Sequence, residues 1–258
     1  MSRLIVMFGT VMLLASPIIP RFGGGAASGG GLPLFTFTGT FQLLDDGKVD
    51  RVRNWRLRIL SSGNLVFLGV YDVDVFLVGG GAGGSYYSYE NAGGGGGGGG
   101  FTLLNLFTSI KDATYIITIG AGGNPATYGT AGGTTSITTT GLSMSALGGN
   151  GSPNGDPYRG GSGGSGGGGS NGGAGGTNGG NGAQGGAPYY ATAGTGAGVS
   201  TKEFRESTGT LYATGGYGSP ANPTVARTAN TGDGGYGGRT AAQNGASGIL
   251  IIRNHRAA

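Results

Sequence analysis

The chain has no cysteine and one histidine, His255, among its 258 residues. The absence of cysteine excludes a disulfide framework, thiolate metal sites and cysteine nucleophiles. A single histidine excludes histidine clusters and makes a Ser/His/Asp triad implausible, and we expect His255 to be solvated near the C-terminus. We therefore predict that the protein is not an enzyme, with no catalytic residue, no metal ligand and no cofactor.

Charged residues and prolines are also scarce. Lys, Arg, Asp and Glu make up 10% of the chain, and the formal net charge is +4. This weak basic bias does not identify a nucleic-acid-binding protein, so we predict no nucleic-acid partner. Nine prolines with irregular glycine spacing exclude a collagen triple helix, which needs an unbroken Gly-X-Y repeat.

Glycine is abundant instead, with 66 residues against a usual share of about 7%. The stretch Gly148 to Gly186 offers almost no side chain for a core, while ordering its backbone costs about 1–2 kcal/mol per residue. It parses loosely into triplets, and three residues per turn is the period of the polyproline-II helix, whose backbone groups must bond to neighbours. We favour a polyglycine-II bundle, in which valine substitutions within Gly172 to Gly180 would be damaging near every third residue. The alternative is a flexible Gly/Ser linker.

The N-terminal segment, Met1 to Pro20, has the pattern of a secretory signal peptide. Its apolar run, Leu4 to Ala15, is shorter than the roughly 20 residues that span a bilayer. We favour an uncleaved arm that packs against other copies or another protein, because the chain has no matching amphipathic partner for it. The predicted assembly residues are Leu4, Ile5, Val6, Met7, Phe8, Val11, Met12, Leu13 and Leu14.

The segment 32–78 shows the period-two alternation of β-strands. Trp55, Leu57 and Ile59 alternate with Arg56 and Arg58, which predicts one buried and one charged face. Other predicted strands are at Phe35–Phe41, Leu65–Leu68, Val73–Val78, Tyr115–Ile119, Thr134–Thr140 and Gly248–Ile252, and Asp45 to Lys48 is typical of a hairpin turn.

These patterns predict a mostly β and irregular fold in three parts. Residues 1–31 form the apolar arm and a glycine-rich hinge. Residues 32–78 form a β-rich collar, a small antiparallel β-sandwich. Residues 79–258 form the glycine-rich polyglycine-II domain, closed by a C-terminal strand.

One motif resembles a dinucleotide-binding loop. The strand Val75–Val78 is followed by G-x-G-x-x-G at Gly79, Gly81 and Gly84. That fingerprint requires a helix after it, and the eight glycines that follow, Gly93 to Gly100, cannot form one. We therefore predict no cofactor. Asp72 and Asp74 share one face of their strand and are expected to stay solvated.

The order of strands and glycine blocks resembles the glycine-rich domain of bacteriophage and prophage tail-fibre proteins. The resemblance spans about Phe35 to Arg253. Its elements are Val75–Gly84, "ITIGAGG" at Ile117–Gly123, "GGTTSI" at Gly132–Ile137, "ALGGNG" at Ala146–Gly151 and "NGASGILIIR" at Asn244–Arg253. The glycine-rich adhesins of T-even-like phage fibre tips and the glycine-rich ectodomain of anaplastic lymphoma kinase receptors are similar in principle. The resemblance implies packed polyglycine-II helices with binding at exposed loops.

The resulting functional hypothesis is a bacteriophage virion protein, tail-fibre- or spike-like, that attaches through its arm and contacts a host-surface glycan or protein. The alternatives are a subunit of a self-assembling extracellular filament or coat, located on a bacterial cell surface, and a capsid decoration protein. Aromatic and bulky residues in glycine-flanked loops are the candidate surface contacts, with filling of bundle edges as the other interpretation. They are Tyr86, Tyr87, Tyr89, Tyr158, Arg159, Tyr189, Tyr190, Phe204 and Tyr212.

Overall fold

The computed structural model describes residues 3–7, 33–45, 55–87, 97–169, 201–219 and 222–255. Within these residues the regular elements are β-strands and one short 3₁₀ turn, Glu203–Arg205, with no α-helix. The strands are β1 (Arg3–Met7), β2 (Phe35–Phe37), β3 (Phe41–Asp45), β4 (Trp55–Ile59), β5 (Gly63–Phe67), β6 (Asp72–Val78), β7 (Thr102–Thr108), β8 (Thr114–Thr118), β9 (Thr135–Thr139), β10 (Leu142–Ala146) and β11 (Ile249–Asn254).

The strands form two open antiparallel sheets. The first has the order β3-β4-β11-β6-β7, with β1 added at its β3 edge as a sixth strand. The second has the order β10-β9-β8-β5-β2. The C-terminal strand β11 lies between β4 and β6 in the middle of the first sheet. The first sheet is therefore complete only when β11, which follows the glycine-rich region in sequence, lies between β4 and β6.

One hydrophobic core lies between the sheets. β4 buries Trp55, Leu57 and Ile59, and β8 in the opposite sheet buries Tyr115 and Ile117 in the same cluster. These strands alternate because each has one face on the core and one face outward. The predicted antiparallel strand pattern is confirmed here.

β6 and β11 are buried on both faces. Their inner residues join the core between the sheets, while Phe76, Val78, Ile249 and Ile251 face a second cluster that contains Phe204 and Tyr212. The segment 201–213 thus covers the outer face of the first sheet. This double burial explains why both strands are almost continuously apolar in sequence.

Three strands were missed by the sequence analysis, which treated β1 only as part of an apolar arm. β7 follows a glycine run, and its sequence TLLNLFT has no alternation of apolar and polar residues. Its burial likewise shows no period of two, so there is little indication of a strand there in the sequence. β10 does alternate, with Leu142, Met144 and Ala146 separated by serines, and this signal could have been found. The predicted turn at Asp45–Lys48 lies mostly outside the described residues, although β3 and β4 pair as an antiparallel hairpin would.

The glycine segments are joined by backbone hydrogen bonds with a period of three. Six consecutive N–H groups of the segment Gly79–Gly84 donate to three neighbouring segments in turn. The acceptors, in chain order of the donors, are the carbonyls of Phe101, Gly133, Ala246, Gly98, Thr130 and Gln243, at 2.9–3.0 Å. Each neighbour is therefore met again at every third residue, and each runs antiparallel to the central segment.

Three further segments fill the remaining sides of Gly79–Gly84. A Cβ added at Gly79, Gly80 or Gly81 would overlap the carbonyl oxygen of Leu147, Ala121 or Asp233, respectively. The central segment is therefore surrounded by six others, and all of its residues are buried. Only hydrogen atoms fit at these Cα positions, which explains the glycines there. The stretch 170–200, which includes Gly172–Gly180, lies outside the described residues.

The glycine-rich body has two distinct ends. Its segments continue directly from β6, β8 and β10 or lead directly into β7, β9 and β11, so one end joins the sandwich. The opposite end, here called the far end, comprises residues 85–87, 124–130, 151–160 and 237–241. The base, comprising residues 33–34, 68–71 and 109–113, lies at the other extreme of the sandwich. Backbone bonds such as Tyr86 N to Ala126 O (3.1 Å) and Ser152 N to Tyr128 O (2.7 Å) join the far-end loops.

Candidate surface-contact site

The far end brings together two of the loops predicted as contacts. Ser85 Oγ donates a hydrogen bond to the Pro157 carbonyl at 2.6 Å, and Ser152 Oγ donates to Ser85 Oγ at 3.0 Å. Both serines are buried. These bonds hold the loop 152–159 against the end of the central glycine segment.

A tyrosine pair lies beside these serines. The rings of Tyr87 and Tyr158 meet edge to face, with centroids 5.2 Å apart and an interplanar angle of 83°. Tyr86 is next to them and is 38% exposed. Such rings offer apolar faces with polar tips, which suits contact with sugars and with proteins.

A polar cleft of about 380 Å³ opens next to this pair, and we call it the distal cleft. It is lined by Asn150, Gly151, Ser152, Pro153, Asn154, Arg159, Gly160 and Ser162. Asn150 Nδ2 donates to Ser162 Oγ at 3.1 Å across the lining. The Arg159 guanidinium forms no salt bridge with any carboxylate in the described part of the chain. The cleft therefore presents amides, hydroxyls and one positive charge.

Two of the predicted contact residues are not on the surface. Phe204 and Tyr212 are each 4% exposed and pack on Phe76 of β6. This corrects the expectation from the sequence, and the reason is the second hydrophobic cluster, which needs apolar residues to cover the first sheet. Tyr89, Tyr189 and Tyr190 lie outside the described residues.

The segment 201–213 is held by a buried carboxylate. Glu203 is fully buried and accepts hydrogen bonds from Arg56 Nη1 at 2.8 Å and Arg58 Nη2 at 2.9 Å. The Tyr212 hydroxyl donates to the same carboxylate at 3.3 Å. Burial raises the pKa of Tyr212 to about 12; the Arg58 charge opposes this shift and the Glu203 carboxylate adds to it. The charged face predicted for β4 is therefore an anchoring surface.

A second charged group lies at the end of β11. Arg253 stands opposite Asp74 in the strand pair, and its Nε donates to Asp74 Oδ2 at 2.9 Å. His255 Nδ1 lies 2.6 Å from Asp74 Oδ1, and Arg253 also pairs with Glu206. Asp74 is 8% exposed, which corrects the expectation that it is solvated. Asp72 and His255 are exposed, as expected, although His255 has a carboxylate partner. An aspartate within an otherwise apolar strand was the signal for such a pair.

The tyrosines within the glycine-rich body have structural contacts. The rings of Tyr217 and Tyr236 lie 5.0 Å apart. The Arg227 guanidinium lies 4.6 Å from the Tyr236 ring centroid, and it donates to the Tyr236 hydroxyl and to Thr214 Oγ1. These contacts fill the edge of the glycine-rich body.

The predicted assembly arm is described only in part. Residues 3–7, which include Leu4, Ile5, Val6 and Met7, form β1 and pair with β3 of the same chain, from Arg3 opposite Asp45 to Met7 opposite Phe41. Phe8, Val11, Met12, Leu13 and Leu14 lie outside the described residues. The prediction that the arm packs against another molecule stays a prediction.

The described residues hold neither a metal-ligand cluster nor a membrane-spanning helix. They contain no group of three His, Asp or Glu side chains that could hold a metal ion. Among them there is also no helix with the length and apolar character needed to cross a membrane.

The similarity of this chain to known proteins lies in its glycine-rich part. No curated protein matches it. A family model described as "Glycine-rich domain" matches residues 62–255, which include β5 to β11 and every described glycine segment. Strands β1 to β4 precede the match; β1, β3 and β4 complete the first sheet, and β2 completes the second. Because the match covers most of the sequence, the chain belongs to the family of proteins that contain this glycine-rich domain.

Proposed function

We propose that this chain is a structural protein of a bacteriophage particle, tail-fibre- or spike-like, that displays a rigid glycine-rich body for attachment to a host surface. The observation that carries the proposal is the polarity of the molecule. The sandwich, with β1 at the edge of its first sheet, is at one end, and the tyrosine pair and the distal cleft are at the other. This arrangement separates a surface for assembly from a surface for recognition, and no nucleic-acid partner is part of it.

The glycine-rich body is, in this proposal, a polyglycine-II bundle. Its support is the rotation of donors from Gly79–Gly84 among three antiparallel neighbours, since three residues per turn without internal bonds is the geometry of that helix. Each backbone bond stabilises by only about 0.5–1.5 kcal/mol net. Because every segment bonds to several others, the bonds must break together, and the body is stiff without a side-chain core.

A second candidate is a subunit of a self-assembling filament or coat on a bacterial surface. The observation that favours it is the place of β1 at the open edge of the first sheet. An edge strand joined by a long connection is suited to exchange between copies. A capsid decoration protein also needs one end for assembly and another for exposure, so only its location on the phage head would distinguish it from a tail protein.

Immunogold electron microscopy of phage particles tests the location. We expect label on the tail, whereas label on the head indicates a decoration protein, and filaments grown from purified protein indicate the second candidate. A chain without Met1–Pro20 should fold and fail to incorporate. Normal incorporation of this truncated chain would contradict the assembly role of the arm.

Binding of purified protein to host cells tests the recognition end. Replacing Tyr86 or Tyr158 by serine should reduce cell binding, because both are at the far end. Ile110, which is 56% exposed at the base, provides the control. Equal loss on Ile110→Ser would contradict recognition by the far end.

A further inference from the structure

We infer that the distal cleft binds a saccharide that carries an anionic group, a carboxylate or a phosphate. The inference rests on the proposed attachment function and gives it a chemical class of ligand. It depends on three features of the far end, which are the charge of the cleft, its polar lining and the fixed shape of its rim.

The charge of the cleft comes from Arg159. The loop 150–162 contains one acidic residue, Asp156, and its Oδ1 accepts a hydrogen bond from the Tyr158 backbone N–H at 3.2 Å. Asp156 forms no salt bridge with Arg159. A guanidinium offers a planar pair of donors that matches a carboxylate or a phosphate in two-point contact. The cleft is therefore ready for an anion.

The rest of the lining suits sugar hydroxyls. Asn154 is exposed, and Asn150 and Ser162 bond to each other, which leaves the amide oxygen and further lone pairs for a ligand. Among the described residues of the lining, Pro153 is the only apolar one apart from glycines. This composition disfavours an apolar peptide or a lipid chain and favours a polar ligand such as a saccharide.

The rim is fixed by the backbone. Asn150 N donates to Ser162 O at 2.8 Å, and the Asn150 carbonyl accepts from Gly98 N at 3.0 Å, so both walls are tied to the glycine-rich body. Ser152 N donates to Tyr128 O at 2.7 Å on the other side. A pre-formed rim lowers the entropy lost when a ligand binds. The site therefore does not need to be assembled by the ligand.

Isothermal titration of the full chain tests the inference with three probes, namely tri-galacturonic acid, its carboxyl-reduced neutral form and mannose 6-phosphate. We expect an anionic probe to bind and the neutral trisaccharide to bind at least about tenfold more weakly. Arg159→Gln should weaken binding of the anionic probe by a similar factor, and Arg159→Lys should retain part of the affinity for that probe. Arg239→Gln removes the same charge from an exposed residue at the same end and should leave binding unchanged.

The outcomes separate the two possible ligands and the two proposals. Preference for the uronate or for the sugar phosphate supports the inference and identifies the anionic group. Equal binding of the neutral trisaccharide, equal loss on Arg239→Gln, or no binding of any probe overturns it. The cell-binding assay with Tyr86 and Tyr158 variants does not use these probes. It can therefore still support the attachment function when no anionic saccharide binds to the distal cleft. If the thermal unfolding midpoint of Arg159→Gln equals that of the parent chain, the variant is folded, and its loss of binding results from the missing guanidinium.

Discussion

At the scale of single residues, the glycines of the central segment are required by close approach. Gly81 is surrounded by backbone, and an added Cβ would overlap the Asp233 carbonyl, which no side-chain rotation can relieve. Gly79, Gly80, Gly83 and Gly84 meet the carbonyl oxygens of other segments in the same way. In this segment we therefore expect a larger side chain to be damaging at each of the five glycines, and not only at every third residue, because all sides are occupied.

Gly81→Ala should lower the free energy of unfolding by about 3 kcal/mol or more, since backbone segments must separate to admit the methyl group. Chemical denaturation of the purified chain measures this change. Gly141→Asn is the control: this turn glycine has a φ of +78° and no heavy atom near an added Cβ, and asparagine tolerates that φ. A loss below about 1 kcal/mol for Gly81→Ala would contradict close packing of the body.

Tyr212 gives a prediction of pH dependence. Its pKa is about 12 in the folded chain against 10 for an unperturbed tyrosine, so the folded state holds this proton more tightly. The resulting stabilisation, up to about 3 kcal/mol, is complete below pH 10 and is lost as the pH rises through 12. Tyr212→Phe loses the bond to Glu203 and should be less stable at pH 7 by about 1–2 kcal/mol. Denaturation curves at pH 8 to 12 should show this difference shrinking, and a constant difference would contradict the assigned shift.

At the scale of elements, the segment 201–213 is the outer cover of the first sheet. It combines apolar contacts of Phe204 and Tyr212 with the buried carboxylate of Glu203. The Arg253 guanidinium also lies 4.0 Å from the Phe204 ring centroid. Removing one member of a buried charge group is costly because its partners stay in place without compensation.

Glu203→Gln should therefore destabilise the chain by about 2–4 kcal/mol and release this segment, since Arg56 and Arg58 lose their common partner. Limited trypsin digestion followed by mass spectrometry should show faster cleavage after Lys202 and Arg205. Glu206→Gln is the matched control, because the Glu206 side chain is 37% exposed and its ion pairs are partly screened by solvent. Equal cleavage of both variants would contradict the anchoring role of Glu203.

At the scale of the whole molecule, the glycine-rich body grows out of the sandwich and depends on it. The strands hold the glycine segments at the end that joins the sandwich, so register set within the sheets is carried into the glycine region. Amide hydrogen exchange should therefore be slow at Gly80–Gly84 and Gly98–Gly100, whose N–H groups are buried and bonded. Exchange should be fast at Asn154 and Gly155 in the exposed far-end loop. Rapid exchange throughout the central segment would show a linker instead of a rigid body.

The sequence by itself determined most of the strands and the need for close backbone packing. Alternation in β4 and β8 predicts their core faces, because a pleated strand points successive side chains to opposite sides. Apolar runs in β6 and β11 mark strands buried on both faces. Glycine at every position from Gly79 to Gly84 except Ala82 excludes a side-chain core there.

Only the tertiary structure decided which segments are neighbours. A glycine segment carries no side chains to specify a partner, so Gly80 pairs with Gly133 because β6 and β9 hold those segments in place, and not because of any local signal. The same holds for Glu203 and Arg56, 147 positions apart, and for Tyr87 and Tyr158. Phe204 was predicted to be a surface contact because it is an aromatic residue in a loop, yet it is buried because it covers the outer face of the first sheet. Pairing over such distances depends on the assembled sandwich, in which β11 returns to lie between β4 and β6.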